Sequence, residues 1–283
     1  MQNILTIAQL TFEEARRKRV TTAALVLGVA FVAVFAIGFR LVFGEVQSVS
    51  TRQGIPMTTI QNAQLIGFFA LAGLYAANFL GVMMSALLPV DTLAGEIRSG
   101  AIQTLLTKPV HRREVVLGKW LGFWLMLMAY MLVITVGVVL SVRLIAGFSP
   151  PNVISGIALM LLESTLILTL CIAGGTRLST LANGVTVFGL YGLAFVGGWI
   201  ERIGSLFGNK TAEYVGILTS LVMPSEVLWQ LAAFRMQPPL LAQLGISPFS
   251  SASEPSLWMV AWAVGFILVA LALALRQFGA RDL

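Results

Sequence analysis

The sequence predicts an all-α, polytopic membrane protein with six transmembrane helices, and three observations carry that prediction. Hydrophobic residues make up 58% of the chain and charged ones only 11%, at a mean hydropathy of +0.90. That balance is too apolar for a soluble globular domain. Largely apolar runs recur at close to the about 20 residues that a helix needs to cross a bilayer core. Lysine and arginine gather on alternate connections between those runs, as the positive-inside rule requires.

The elements follow in chain order. Residues 1–19 read MQNILTIAQLTFEEARRKR and predict an amphipathic helix lying at the membrane interface. Ile4, Ile7, Ala8, Thr11, Phe12 and Ala15 share one face, with Glu13, Glu14, Arg16 and Arg17 turned to water and headgroups. Five spans are expected at 20–43, 65–89, 120–142, 153–175 and 257–275, and a shorter, glycine-rich one at 184–200. Glycine is tolerated there because it lets transmembrane helices approach closely. The first run is too long for the apolar core of a cleaved leader and follows a polar stretch, so it reads as a span.

Residues 201–256 form the longest connection. Within it, 212–234 is largely apolar but is interrupted by Pro224, Ser225 and Glu226. Each half is too short to span, and proline breaks a helix, so two short helices re-entering the outer leaflet are expected. A seventh span, which would move the C-terminus to the opposite side, is the competing reading.

With the N-terminus cytoplasmic, the inner segments hold twelve of the eighteen lysines and arginines. These are Arg16, Arg17, Lys18 and Arg19; Arg98, Lys108, Arg112, Arg113 and Lys119; Arg177; and Arg276 and Arg281. Both termini are therefore expected in the cytoplasm. The net charge of +6 needs no nucleic-acid partner, because its carriers flank membrane spans, where anionic lipid and topology account for them.

The most informative segment is 91–119, DTLAGEIRSGAIQTLLTKPVHRREVVLGK, a charged stretch between two apolar runs. Leu93, Ile97, Ala101 and Leu105 recur every fourth residue and so lie along one stripe of a helix. Pro109 ends the pattern. A short amphipathic helix over about 91–108, held between two spans, can receive a soluble partner.

Several chemistries are excluded. The chain has one cysteine and one histidine, Cys171 and His111, so neither an intrachain disulfide nor a zinc site of ordinary ligands can be assembled. Met83, Met84, Met126, Met128 and Met131 admit a soft-metal reading, yet methionine is equally a filler of apolar helices. Residues 204–211, GSLFGNKT, resemble a phosphate loop, but Asn209 stands where a glycine must precede the lysine. The chain carries no nucleotide site of that type, and no nucleophile–base pair supports an enzyme reading.

From Glu96 to Lys119 the sequence resembles the cytoplasmic signature of ABC-2 type transporter permeases. In that signature an acidic residue and a glycine precede leucines, then a proline, basic residues and a Gly-Lys at the next span. Here these positions are Glu96, Gly100, Leu105, Leu106, Pro109, Arg112 and Arg113, then Gly118 and Lys119. The six-span plan, the long final outer loop and the tail RQFGARDL are similar to the family as well. Ala101 and Ile102 stand where many relatives carry Thr-Leu, and Gly174, Gly175 and Thr176 where a serine-containing ending is common.

The resemblance implies a permease subunit of the inner (cytoplasmic) membrane that pairs with a second permease chain and docks two cytoplasmic ABC ATPase subunits. ATP and magnesium would belong to those partners, with no cofactor in this chain. The segment after the second span would be the coupling helix, with Leu93, Glu96, Ile97, Arg98, Gly100, Leu105, Leu106, Pro109 and Arg112 as its interface. The implied activity is export of an amphiphilic or lipid-like substrate. An accessory role in cell-envelope assembly or nitrous-oxide-reductase maturation is the alternative within the family.

Glu163 is the acidic residue near the middle of a span, and relatives often carry a glutamate at about this point. A charge at the bilayer centre costs about 2.5–3.5 kcal/mol on insertion scales, so Glu163 must face protein or a water-filled cavity. Tyr75 and Asn78 in the second span are its candidate polar partners. An ion-coupled secondary transporter using Glu163 as its proton site is the reading from a different class. Such transporters are usually built from internal repeats, and none is evident here.

Overall fold

The computed structural model describes residues 2–53, 59–99, 111–239, 249 and 254–280. Among them ten α-helices and no strand are defined. They are α1 (Gln2–Arg17), α2 (Arg19–Gln53), α3 (Thr59–Leu87), α4 (Thr92–Ser99) and α5 (Arg112–Ala146). Then follow α6 (Val153–Gly175), α7 (Thr180–Leu206), α8 (Lys210–Val222), α9 (Ser225–Met236) and α10 (Trp258–Gly279). Six of these, α2, α3, α5, α6, α7 and α10, are long and apolar enough to cross a membrane. The all-α polytopic class expected from the sequence is the one observed.

The helices outrun the apolar stretches that betray them. Helix α2 continues to Gln53, α5 begins already at Arg112, and α7 covers 180–206 rather than 184–200. Local chemistry sets these ends. The first turn of α5 is held by Glu114, whose Oε2 accepts from the His111 backbone N–H at 3.0 Å and from Asn3 Nδ2 at 3.1 Å. At its other end Gly147 takes the left-handed conformation, φ 67°, and its N–H closes on the Arg143 carbonyl at 3.0 Å. Ser179 caps α7 through Ala182 N–H at 3.4 Å. Asn209 caps α8, accepting from the amides of Thr211 and Ala212 at 3.1 and 3.3 Å. The phosphate-loop look-alike 204–211 is thus the turn of a helical hairpin, and Asn209 occupies the very amides a phosphate would need.

Helix α6 is the axis of the bundle. Of its most apolar window 72% is buried inside the protein, against 11% for α2 at the periphery. Helices α3, α5, α7, α9 and α10 all pack on α6. Two hydrogen bonds fix its register with α5: Trp120 Nε1 donates to Thr169 Oγ1 at 2.9 Å and Trp124 Nε1 to Thr165 Oγ1 at 3.1 Å. Both partners recur at i and i+4, so the two indoles stack along one helix face opposite the two hydroxyls. Helix α2 is joined to the rest through Phe35, Phe39 and Phe43, which run down one side of it toward Phe69 of α3.

The amphipathic face expected in residues 1–19 is present, and its partner is α5. Ile7, Ala8, Thr11 and Ala15 are buried there, while Leu5 and Leu10 remain exposed. The approach is close because α5 offers glycine at i and i+4. A Cβ at Gly118 would lie 2.6 Å from Ile7 Cβ, and one at Gly122 2.6 Å from the Ala8 carbonyl oxygen.

The interrupted stretch 212–234 is two helices. α8 and α9 meet at Met223 and Pro224 with a bend of 109°. Helix α8 lies back along α7, and α9 inserts between α6, α7 and α3. Ten residues of α9 are buried, so this short helix is part of the core.

Candidate functional site

Two groups of residues carry the chemistry, one at the start of α5 and one within the bundle. The first is the segment after α3. A helix does form there, α4, and its Glu96 is tied to the start of α5: Lys119 Nζ lies 2.5 Å from Glu96 Oε1. Lys119 is only 5% exposed. A lysine this deep needs a carboxylate, and Glu96 supplies it. The other end of α4 is held by Asp91, whose Oδ1 accepts from Thr180 Oγ1 at 2.6 Å on the first turn of α7. The short helix is therefore bonded to two long ones.

Of the expected interface residues, Glu96 and Arg112 are described, with Arg112 opening α5. The backbones of Leu93, Ile97 and Arg98 lie in α4, but their side chains are outside the described residues, as are Gly100, Leu105, Leu106 and Pro109 altogether. The sequence reading gave Glu96 to a partner surface; the structure gives it an intramolecular cation. Glu96 and Lys119, read separately in the sequence, bond to each other, and Gly118 beside them receives α1.

The second group lies within the bundle. Glu163 of α6 is fully buried, and Asn78 Nδ2 of α3 donates to its Oε2 at 2.9 Å. Tyr75, one turn earlier on α3, packs its ring against Trp229 of α9 and Phe249, with centroids 5.3 and 5.5 Å apart. So of the two candidate partners, Asn78 bonds Glu163, and Tyr75 packs on α9 instead.

Sequence reasoning missed one buried ion pair. Arg202 of α7 and Glu226 of α9 form a buried ion pair, with side chains only 8% and 2% exposed. The Arg202 guanidinium also sits 5.4 Å from the centre of the Trp199 ring. The Asn78–Glu163 bond joins α3 to α6, and the Arg202–Glu226 pair joins α7 to α9. The available signal was Glu226 directly after Pro224-Ser225, an acid inside an apolar stretch that needs a cation.

Among the described residues no group of three or more His, Cys, Asp or Glu side chains is placed to hold a metal ion. Met126 and Met131 are core residues, and Met131 fills the space above Gly81. Cys171 is buried, with its Sγ 3.3 Å from the Ala86 carbonyl oxygen.

A family model described as ABC-2 family transporter protein matches residues 5–283. The chain belongs to the ABC-2 transporter family. Comparison with curated proteins gives no match. An ABC-2 permease is the membrane component of its transporter, has no nucleotide-binding domain and works with cytoplasmic ATPase partners. The six apolar helices agree with a multi-pass membrane protein of this kind.

Within an ABC-2 permease the Glu163–Asn78 contact yields a direct test. Glu163→Gln retains an acceptor for Asn78 Nδ2, whereas Glu163→Leu strands that donor in the core. Leucine is expected to cost about 1–3 kcal/mol and glutamine distinctly less, read as melting temperatures of the purified permease. Equal melting of the two variants would contradict the hydrogen-bonding role. If the folded Glu163→Gln variant loses transport altogether, ionisation of Glu163 is what the transporter uses.

Proposed function

We propose that this ABC-2 permease is the membrane half of an ATP-driven exporter of amphiphilic or lipid-like substrates. Two permease chains pair, and two ATPase subunits, which carry the ATP and magnesium, dock on the cytoplasmic segment 91–108. Closure of the ATPases moves that segment, and the movement reaches the spans through the Glu96–Lys119 and Asp91–Thr180 contacts. The observation that carries this reading is the two-ended anchoring of α4 in a chain of this family. A mobile loop between spans could not transmit force; a helix bonded to α5 and α7 can. The decisive experiment is co-expression with a cognate ABC ATPase. The permease should retain that ATPase through purification and show no ATP hydrolysis alone. Robust hydrolysis by the single chain, with contaminants excluded, would overturn it.

The proposed topology places both termini in the cytoplasm of an inner-membrane protein and α8–α9 as a pair that returns to the outer face. The native Cys171 is buried, so introduced cysteines report cleanly. A cysteine at exposed Ser179 should label from the cytoplasmic side only, and one at Glu254, half exposed, from outside only. Labelling of Glu254→Cys from inside would make α8–α9 a seventh crossing.

A further inference from the structure

We propose that the groove between α6 and α10 binds one anionic phospholipid of the cytoplasmic leaflet, with Arg177 holding its phosphate. The groove has a volume of about 380 Å³ and runs along both helices, from Leu170 to Arg177 on one side and from Phe266 to Gln277 on the other. Small residues, Ala173, Gly174 and Ala270, are among those that line it. Eleven helical steps from Phe266 to Gln277 make it about 16 Å long, close to one leaflet of a hydrocarbon core about 30 Å thick. The walls are aliphatic and aromatic, as an acyl chain requires.

Polarity is confined to one end. Thr176 Oγ1 hydrogen-bonds Gln277 Oε1 at 2.9 Å and clamps the two helices at that end. The bond occupies the Gln277 carbonyl and leaves its amide nitrogen as a donor. Arg177, beside this clamp, is exposed and makes no side-chain hydrogen bond or ion pair among the described residues. No acidic residue lines the groove. An apolar channel one leaflet deep, ending in an arginine and an amide donor, is complementary to a single lipid with a phosphate headgroup of net negative charge. A zwitterionic lipid would fit the channel but bring a second cation next to Arg177.

The site can be tested on the permease alone, so its outcome is independent of the ATPase reading. The full chain is released from vesicles of phosphatidylcholine and phosphatidylglycerol, and retained lipids are counted by native mass spectrometry. One phosphatidylglycerol per chain should be retained in preference to phosphatidylcholine. Arg177→Ala should lower that retention about fivefold, the worth of one arginine at an anionic surface, and Arg177→Lys should largely preserve it. Ala173→Phe, which fills the channel, should lower retention of both lipids. Arg17→Ala, which removes an exposed arginine from α1, should change nothing. Retention unaffected by Arg177→Ala, or lowered equally by Arg17→Ala, would overturn the proposal. So would a groove found covered by a second copy of the chain.

Discussion

Arg202→Leu should destabilise the permease by about 3–5 kcal/mol. The substitution removes the ion-pair partner of Glu226, whose side chain is 2% exposed. The Glu226 carboxylate would be left buried without this partner, and the cation–π contact with Trp199 is lost as well. Because Arg202 belongs to α7 and Glu226 to α9, the damage falls on the anchoring of the bent α8–α9 pair. Glu226→Leu should be comparably harmful, since it strands the arginine. The double replacement Arg202→Met with Glu226→Leu should recover most of the loss, because it removes both desolvation costs along with the attraction. Melting temperature and membrane yield of the three variants decide the matter. Arg202→Leu melting like the parent would show that the pair holds nothing together.

The second large effect is expected at the cytoplasmic segment. Glu96→Arg places a second cation against Lys119, which is only 5% exposed, and should detach α4 from α5. ATPase co-purification should fall while insertion of the spans persists. Combining Glu96→Lys with Lys119→Glu restores an opposite pair and should restore much of the binding. Leu105→Asp should weaken ATPase binding further, by about two to three decades, since an unpaired charge buried in an apolar contact costs about 3–5 kcal/mol. Its permease yield should stay normal. Normal ATPase binding by both Glu96→Arg and Leu105→Asp would reduce 91–108 to a connector.

These two predictions divide along what the sequence could and could not convey. The spans were legible because a bilayer demands long apolar runs, and the break at Pro224 was legible because proline cannot continue a helix. The Glu163–Asn78 contact was within reach for the same reason: a polar group inside a span must have a partner, and few candidates exist. Periodicity identified the buried face of α1 but not that α5 would receive it. Gly118 and Gly122, four residues apart, were the only trace of that docking site.

Charge was the misleading signal. Glu201 and Arg202 ended an apolar run, so the sequence reading placed them in an outer loop. In the structure α7 continues through both, because Glu226 neutralises Arg202 from a helix that is itself buried. The Glu96–Lys119 bond was not legible either, since its partners stand 23 residues apart. Pairings across such separations depend on how helices pack, and no local pattern encodes them.

The central claim is that segment 91–108 is the seat of the ATPase. A photo-reactive side chain at position 105, in permease co-expressed with its ATPase, tests it most directly. Illumination should give a covalent permease–ATPase adduct from position 105 and none from position 254. An adduct absent at 105 in a complex that still transports would contradict the account.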